Sequence, residues 1–194
     1  MTRILPLISL FFLATTCCLA EDLPKSELPC PSIRPRVEWN AKPALTELMK
    51  PQGALRGIVV HHSEGKAPKA GEENSVVQNI QSYHMGERKW GDVAYHFFVC
   101  PSGLVLEGRS LNFAGDSGTK YDTQGYEMVC VLGGYMKELP TPEALRALTG
   151  LVQNQMKQHH LTKNQIHAHR ELASTDCPGD CLYKWFSEKF RVIL

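Results

Sequence analysis

The sequence lacks an excess of charge of either sign. Its 194 residues carry 21 Lys+Arg against 20 Asp+Glu. That balance argues against nucleic acid as the partner, because phosphate binding shows as a basic excess. No segment after the N-terminal stretch has the length and polarity of a membrane-crossing helix. No internal repeat is found. With 43% hydrophobic and 21% charged residues, the composition is that of one globular domain with its own core.

An even set of cysteines is also missing. Seven are present, and two of them, Cys17 and Cys18, lie in "MTRILPLISLFFLATTCCLA". This stretch has one positive charge, an apolar run from Ile4 to Ala14, and small residues (Cys18, Ala20) before Glu21. It reads as a secretory signal peptide over residues 1–20, too short in its apolar run to serve as a membrane anchor. Removing it leaves a neutral, exported chain that is not attached to a membrane, with Cys30, Cys100, Cys130, Cys177 and Cys181. An odd count in an oxidising compartment leaves at least one thiol unpaired within the chain.

What is present is a mixture of strand and helix signals. Residues 21–30 form an extended lead-in, within a proline- and charge-rich stretch that runs to residue 36, and residues 31–194 form the domain. "GIVVHH" predicts a buried strand over Arg56–His62. Val76, Ile80 and Tyr83/His84 recur at helical spacing after Asn74, a candidate cap. "VAYHFFVC" and "LVLEGR", separated by "PSG", predict a hairpin, and "EMVCVLGG" a further strand. Thr141 and Pro142 open a helix whose Leu145, Leu148, Val152 and Met156 share a face, and a last amphipathic helix carries Leu182, Trp185, Phe186 and Phe190. The expected fold class is α/β: a single domain with a mixed central β-sheet flanked by helices.

Three stretches could carry chemistry: "VVHHS" (59–63), "VAYHF" (93–97) and "HAHRELASTDCPG" (167–179). Consecutive strand residues point to opposite faces, so at most one of His61 and His62 faces a given site, and the same holds for Tyr95 and His96. His169 and Cys177 flank a loop able to bring both to one point. Imidazole and thiolate together suit zinc, whose catalytic sites use three protein ligands and leave a fourth position for water. A disulfide through Cys177 satisfies the same residues, and spacing alone leaves both readings open.

The ordered motifs "PRVEW", "IVVHHS", "WGDVAYHFFV", "GLVLEGR", "VLGG", "AHRELASTDCPG" and "LYKWF" resemble the peptidoglycan recognition protein family in its short secreted form, related to phage-type zinc amidases. The resemblance covers roughly residues 31 to 190. It implies the zinc amidase fold, with His61, His169 and Cys177 as ligands of Zn2+. Tyr95 then matches the active-site tyrosine, and Thr175 the threonine that animal amidases carry where phage enzymes have lysine. The implied activity is hydrolysis of the amide between N-acetylmuramic acid and L-alanine of bacterial peptidoglycan, in innate immunity. A recognition module that binds muropeptides without turnover is the alternative. A metal-free binding domain stapled through Cys177 is a third.

The resemblance also suggests contacts to substrate. His84 lies on the helix that lines the cleft in the family. Trp90, in "KW", resembles a glycine-tryptophan form linked to diaminopimelate-type peptidoglycan. Arg109 matches an arginine that meets the diaminopimelate carboxylate in some relatives, although a solvated hairpin arginine fits the residues equally. In "GDSGTKYD", Ser117 stands where relatives carry a cleft histidine. Cys30–Cys181 and Cys100–Cys130 are the implied bridges, with buried free thiols the other reading of Cys100 and Cys130. His62 and His96 are expected to point away from the metal, His167 to lie near the site without ligating, and His159 and His160 to end a helix. Trp39, Trp185 and Phe190 are expected in the core.

Overall fold

The computed structural model describes Leu23 and residues 27–194; the expected signal peptide lies outside the described residues. Six strands form one sheet: β1 (Ile33–Arg34), β2 (Gly57–His62), β3 (Phe97–Val99), β4 (Val105–Glu107), β5 (Tyr126–Val131) and β6 (Ile166–Ala168). Their order is β1-β4-β3-β5-β2-β6. Only the β3/β4 hairpin is antiparallel; every other neighbouring pair is parallel. Three helices pack on this sheet: α1 (Glu73–Gly86), α2 (Pro142–Gln158) and α3 (Asp180–Trp185). The chain continues helically beyond α3 through Phe186–Phe190. The expected mixed α/β domain is thus found.

The two faces of the sheet have separate cores. One buries Ile58, Val60, Val129 and Val131 with Leu148, Leu151 and Val152 of α2 and with Leu182, Trp185, Phe186 and Phe190. The other buries Phe98, Leu106 and Cys130 against Trp39 and Val77 of α1. β2 is therefore buried at every position. That is why it reads as a continuous apolar run instead of an alternation, as strands covered on both faces do.

Several local expectations are corrected. Asn74 does not cap α1, which begins at Glu73 after Glu72, and its amide instead donates to the Glu38 carbonyl at 3.1 Å. The strand expected over "VAYHFFVC" is regular only from Phe97. The His96 Nδ1 accepts the Met128 N–H at 2.8 Å, so a side chain takes a hydrogen bond that a regular ladder gives to main chain. Thr141 does cap α2, its hydroxyl accepting from Ala144 N at 3.2 Å.

Neither expected disulfide is formed. Cys30 is an exposed thiol, and Cys100 and Cys130 are separate buried thiols. Cys30 follows a segment tied to α2 through Leu28 N and Gln153, whereas the Cys181 sulfur points to the Met136 carbonyl. In the parallel β3/β5 register Cys130 faces Phe98, leaving Cys100 two residues further along. With strands about 4.8 Å apart and a rise of about 3.3 Å per residue, that diagonal is about 8 Å, beyond the ~7 Å a disulfide spans.

One buried acid stands out. Glu127, on β5, is 0% exposed, and burial pushes its carboxyl up to about 8, with the Gln155 amide on α2 only partly opposing. An acid whose folded pKa lies above its unfolded value of 4.5 contributes in full below that value and loses the contribution as pH rises toward 8. Glu127→Gln should remove this slope. Its melting temperature should match wild type near pH 4.5 and exceed it by on the order of 5 °C at pH 8, as thermal unfolding across that range will show.

Candidate functional site

The site follows from strand register. β2 and β6 run parallel with Ile58 opposite Ile166, Val59 opposite His167 and Val60 opposite Ala168. One step further, His61, the penultimate residue of β2, stands beside His169, the first residue after β6, and their rings are 4.4 Å apart. Both project from the carboxyl ends of parallel strands, where open α/β sheets place their ligands. Alternation puts His61 on the α1 face and His62 on the other, as expected. The His62 Nδ1 accepts from Tyr135 N at 3.4 Å, and the ring stays out of the histidine pair.

Cys177 reaches the same point by a loop that folds back on itself. Arg170 N donates to Cys177 O at 3.0 Å, and the Arg170 guanidinium bonds the Asp176 carbonyl and Asp180. Gly179 completes the return with φ 92°, and a Cβ there would meet the Tyr135 carbonyl oxygen at 2.5 Å, so only glycine fits. The Cys177 sulfur then lies 3.7 Å from His61 Nδ1 and accepts the His62 backbone N–H at 3.4 Å. One ligand atom from each of His61, His169 and Cys177 falls within 4.8 Å of the others, and all three residues are buried.

The chemistry of this trio fits a metal ion. The His169 Nδ1 is buried and makes no hydrogen bond, a state that is costly for a polar atom unless a ligand completes it. Burial holds the His169 imidazole down to about 4 and lowers His61 further, helped by the neighbouring His169 charge, so both rings are neutral donors near pH 7. Burial pushes the Cys177 thiol up to about 12, opposed by the His62 amide, so without a cation it stays protonated. Two imidazoles and a sulfur suit zinc with a fourth position left for water.

The trio lies in a cleft of about 610 Å³ between the sheet ends, α1 and the loop of residues 115–125. Tyr95 lines it with its ring 5.3 Å from that of His61, and burial followed by nearby Cys130 and Cys177 raises its phenol far above the usual value. It is therefore a neutral O–H donor. Thr175 lines the cleft beside the sulfur and accepts the Cys177 N–H at 3.2 Å. His84 also lines it. Its Nδ1 accepts Ala94 N at 3.1 Å, its ring packs 4.8 Å from Trp90, and burial lowers its pKa to about 4. Trp90 lines the cleft under the Arg88 guanidinium, 4.8 Å from the ring centroid.

Arg109 does not line the cleft. It is 1% exposed, and its guanidinium is spent on the carbonyls of Val93, Ala114 and Asp92 and on the Asp116 carboxylate. It is not a solvated hairpin residue, and in this structure the carboxylate it meets is that of Asp116, which does face the cleft. Arg88, which does line the cleft, was not singled out by the sequence, although its place beside Trp90 was the available signal. His96 is turned into the core, bonded to Met128 N and Phe113 O. His167 packs against Tyr126 and Glu171 away from the cleft. His159 and His160 lie just beyond α2.

Ser117, the residue that the resemblance sets at the place of a cleft histidine, does line the cleft, 3.4 Å from His169 Nε2. Two neighbours went unnoticed in the sequence: Thr119, 2.7 Å from His169 Nε2, and Tyr121, 3.5 Å from His61 Nε2. They sit in an aperiodic loop with no motif to mark them.

Comparison with known proteins agrees with this geometry. Residues 51–180 match the Amidase_2 family model, described as N-acetylmuramoyl-L-alanine amidase. The chain is 34% identical over 162 residues to mouse peptidoglycan recognition protein 1, covering 80% of this chain and 86% of that one. It is 32% identical over 168 residues to human N-acetylmuramoyl-L-alanine amidase, but spans only 29% of that longer protein. Among solved structures, Drosophila peptidoglycan recognition protein SD superposes with a TM-score of 0.75 at 28% identity, covering 81% of this chain and 94% of that one. Human PGRP-IBETAC, solved in complex with glycosamyl muramyl pentapeptide, gives 0.73 at 28% identity, covering 82% and 96%. By sequence and by fold, the chain belongs to the N-acetylmuramoyl-L-alanine amidase family and, within it, resembles the peptidoglycan recognition proteins.

Proposed function

We propose that this chain is a secreted, zinc-dependent N-acetylmuramoyl-L-alanine amidase that cleaves the bond between N-acetylmuramic acid and L-alanine of bacterial peptidoglycan in innate immunity. In this reading residues 1–20 are its signal peptide and residues 31–194 its catalytic domain. The convergence of His61, His169 and the Cys177 sulfur on the cleft floor, with one buried imidazole nitrogen unsatisfied, carries the proposal. The muramyl pentapeptide held by the human relative supports the substrate class. Among the described residues no helix is long and apolar enough to cross a membrane.

Zinc bound by His61, His169 and Cys177 would lower the pKa of a water to about 7 and polarise the amide carbonyl. The protein supplies the rest. Tyr95, kept neutral by its surroundings, offers an O–H to the oxygen on which negative charge develops as the amide is attacked. Thr175 holds the Cys177 backbone, fixing the sulfur against the two rings. α1 and Trp90 wall the cleft, and Asp116, pinned by buried Arg109, gives it a fixed carboxylate.

Cys177→Ser should lose both stoichiometric zinc and the release of a free L-alanine N-terminus, read by metal analysis and mass spectrometry of a muramoyl-peptide digest. Full activity in that variant would sink the assignment, and stoichiometric zinc in a wild type that does not cleave would indicate a recognition protein. Tyr95→Phe should keep zinc and lower kcat by about 10²- to 10³-fold, as loss of one oxyanion donor does.

Metal uptake should also displace a proton. Near pH 7 both histidines are already neutral while the thiol, raised to about 12, is protonated. Calorimetry in buffers of different ionisation enthalpy should therefore find about one proton released per zinc, with affinity rising about tenfold per pH unit.

A further inference from the structure

Behind the metal-facing atoms stand hydroxyl groups that neither the motifs nor the proposed reaction uses. Thr119 Oγ1 lies 2.7 Å from His169 Nε2, and the Tyr121 hydroxyl 3.5 Å from His61 Nε2. On the far side of each ring the picture is different. His169 Nδ1 is buried without a hydrogen bond, and His61 Nδ1 is turned toward the Cys177 sulfur at 3.7 Å. In each ring, then, Nε2 meets a hydroxyl, while Nδ1 is turned to the Cys177 sulfur in His61 and is buried without a partner in His169.

A neutral imidazole has one N–H and one lone pair, and the partner of one nitrogen decides which form prevails. A hydroxyl oxygen can accept the Nε2 proton, which leaves the lone pair on Nδ1. The arrangement at Thr119 allows this direction. Its own O–H has a neighbour in Ser117 Oγ at 2.8 Å, and its backbone N–H also donates to that oxygen at 3.2 Å. When that O–H is given to Ser117, the Thr119 oxygen accepts from His169.

We infer that Thr119 and Tyr121 are positioning residues that fix His169 and His61 as Nε2–H tautomers, each with its Nδ1 lone pair aimed beside the Cys177 sulfur. The inference rests on the zinc reading above. Ser117 gains a part as well: at the position where relatives carry a histidine, its hydroxyl orients the one on Thr119. The effect is selective for metals that need two imidazole lone pairs, and it acts before any substrate binds.

The test uses full-length mature protein and three variants: Thr119→Val, which keeps shape and loses the hydroxyl; Thr119→Ser, which restores it; and Tyr121→Phe. Thr119 lies in a half-buried loop, and matched melting temperatures will show that the variants fold. In the metal-free protein, long-range ¹H–¹⁵N spectra of the imidazoles should show His169 as the Nε2–H form in wild type and Thr119→Ser. Thr119→Val should show a mixture. In competition with a chelator, Thr119→Val should bind zinc about 10- to 100-fold more weakly, with Thr119→Ser within about threefold of wild type. Tyr121→Phe should weaken binding by about threefold or more, in keeping with its longer contact.

An unchanged tautomer and zinc affinity within about twofold of wild type in Thr119→Val would overturn the inference. So would Thr119→Ser binding as weakly as Thr119→Val, which would assign the effect to packing of the methyl group. A wild type that takes up no zinc would overturn the amidase reading instead, and the metal-free spectra would still report whether Thr119 sets the tautomer.

Discussion

Everything at this site depends on the parallel register of β2 and β6. Because Val60 sits opposite Ala168, His61 and His169 are neighbours on the same face, separated by one inter-strand spacing of about 4.8 Å. A slip of one residue would turn one ring to the α2 face and abolish the pair. The register is in turn held by burial: β2 is covered on both faces, and Ile58, Val60, Ile166 and Ala168 share the larger core. Apolar packing thus fixes two polar side chains that are not members of that core.

The third ligand is held by different means. Cys177 belongs to no strand or helix, and its place is set by polar closure: Arg170 to the carbonyls of Asp176 and Cys177, Thr175 to the Cys177 amide, and the His62 amide to its sulfur. The last of these ties the loop directly to the end of β2. Rigid strands thus supply the geometry, and a hydrogen-bonded loop brings the sulfur to it. Arg109 shows the same division, a fully buried cation holding a carboxylate at the cleft surface.

The sequence announced a good part of this. The apolar run "GIVVHH", the Thr141 cap and the helical spacing of Leu145, Leu148 and Val152 each reflect a local rule that the fold obeys. The family motifs led to His61, His169, Cys177, Tyr95 and Thr175, which the structure brings to one cleft. The direction of a side chain leaving a hairpin was not legible: nothing in "LEGRS" distinguishes an outward arginine from one that spends its guanidinium on carbonyls 16 and 17 residues upstream. Glu127 has the same origin, since a carboxylate in "YEMVCV" reads as solvent-facing until both faces of β5 are seen to be covered. Thr119 and Tyr121 went unread because a loop's contacts come from its closure on distant strands, and no periodicity encodes that.

The unbridged state of Cys30, Cys100 and Cys130 has a consequence for the whole chain. His61 and Cys177 are 116 residues apart in sequence, so a cation shared between them would close a loop larger than half the protein. Closing such a loop restricts the unfolded chain far more than the folded one. The same three atoms would then serve as chemistry and as cross-link, and a change that loosened the metal would be felt at the sheet edge as well as in the cleft.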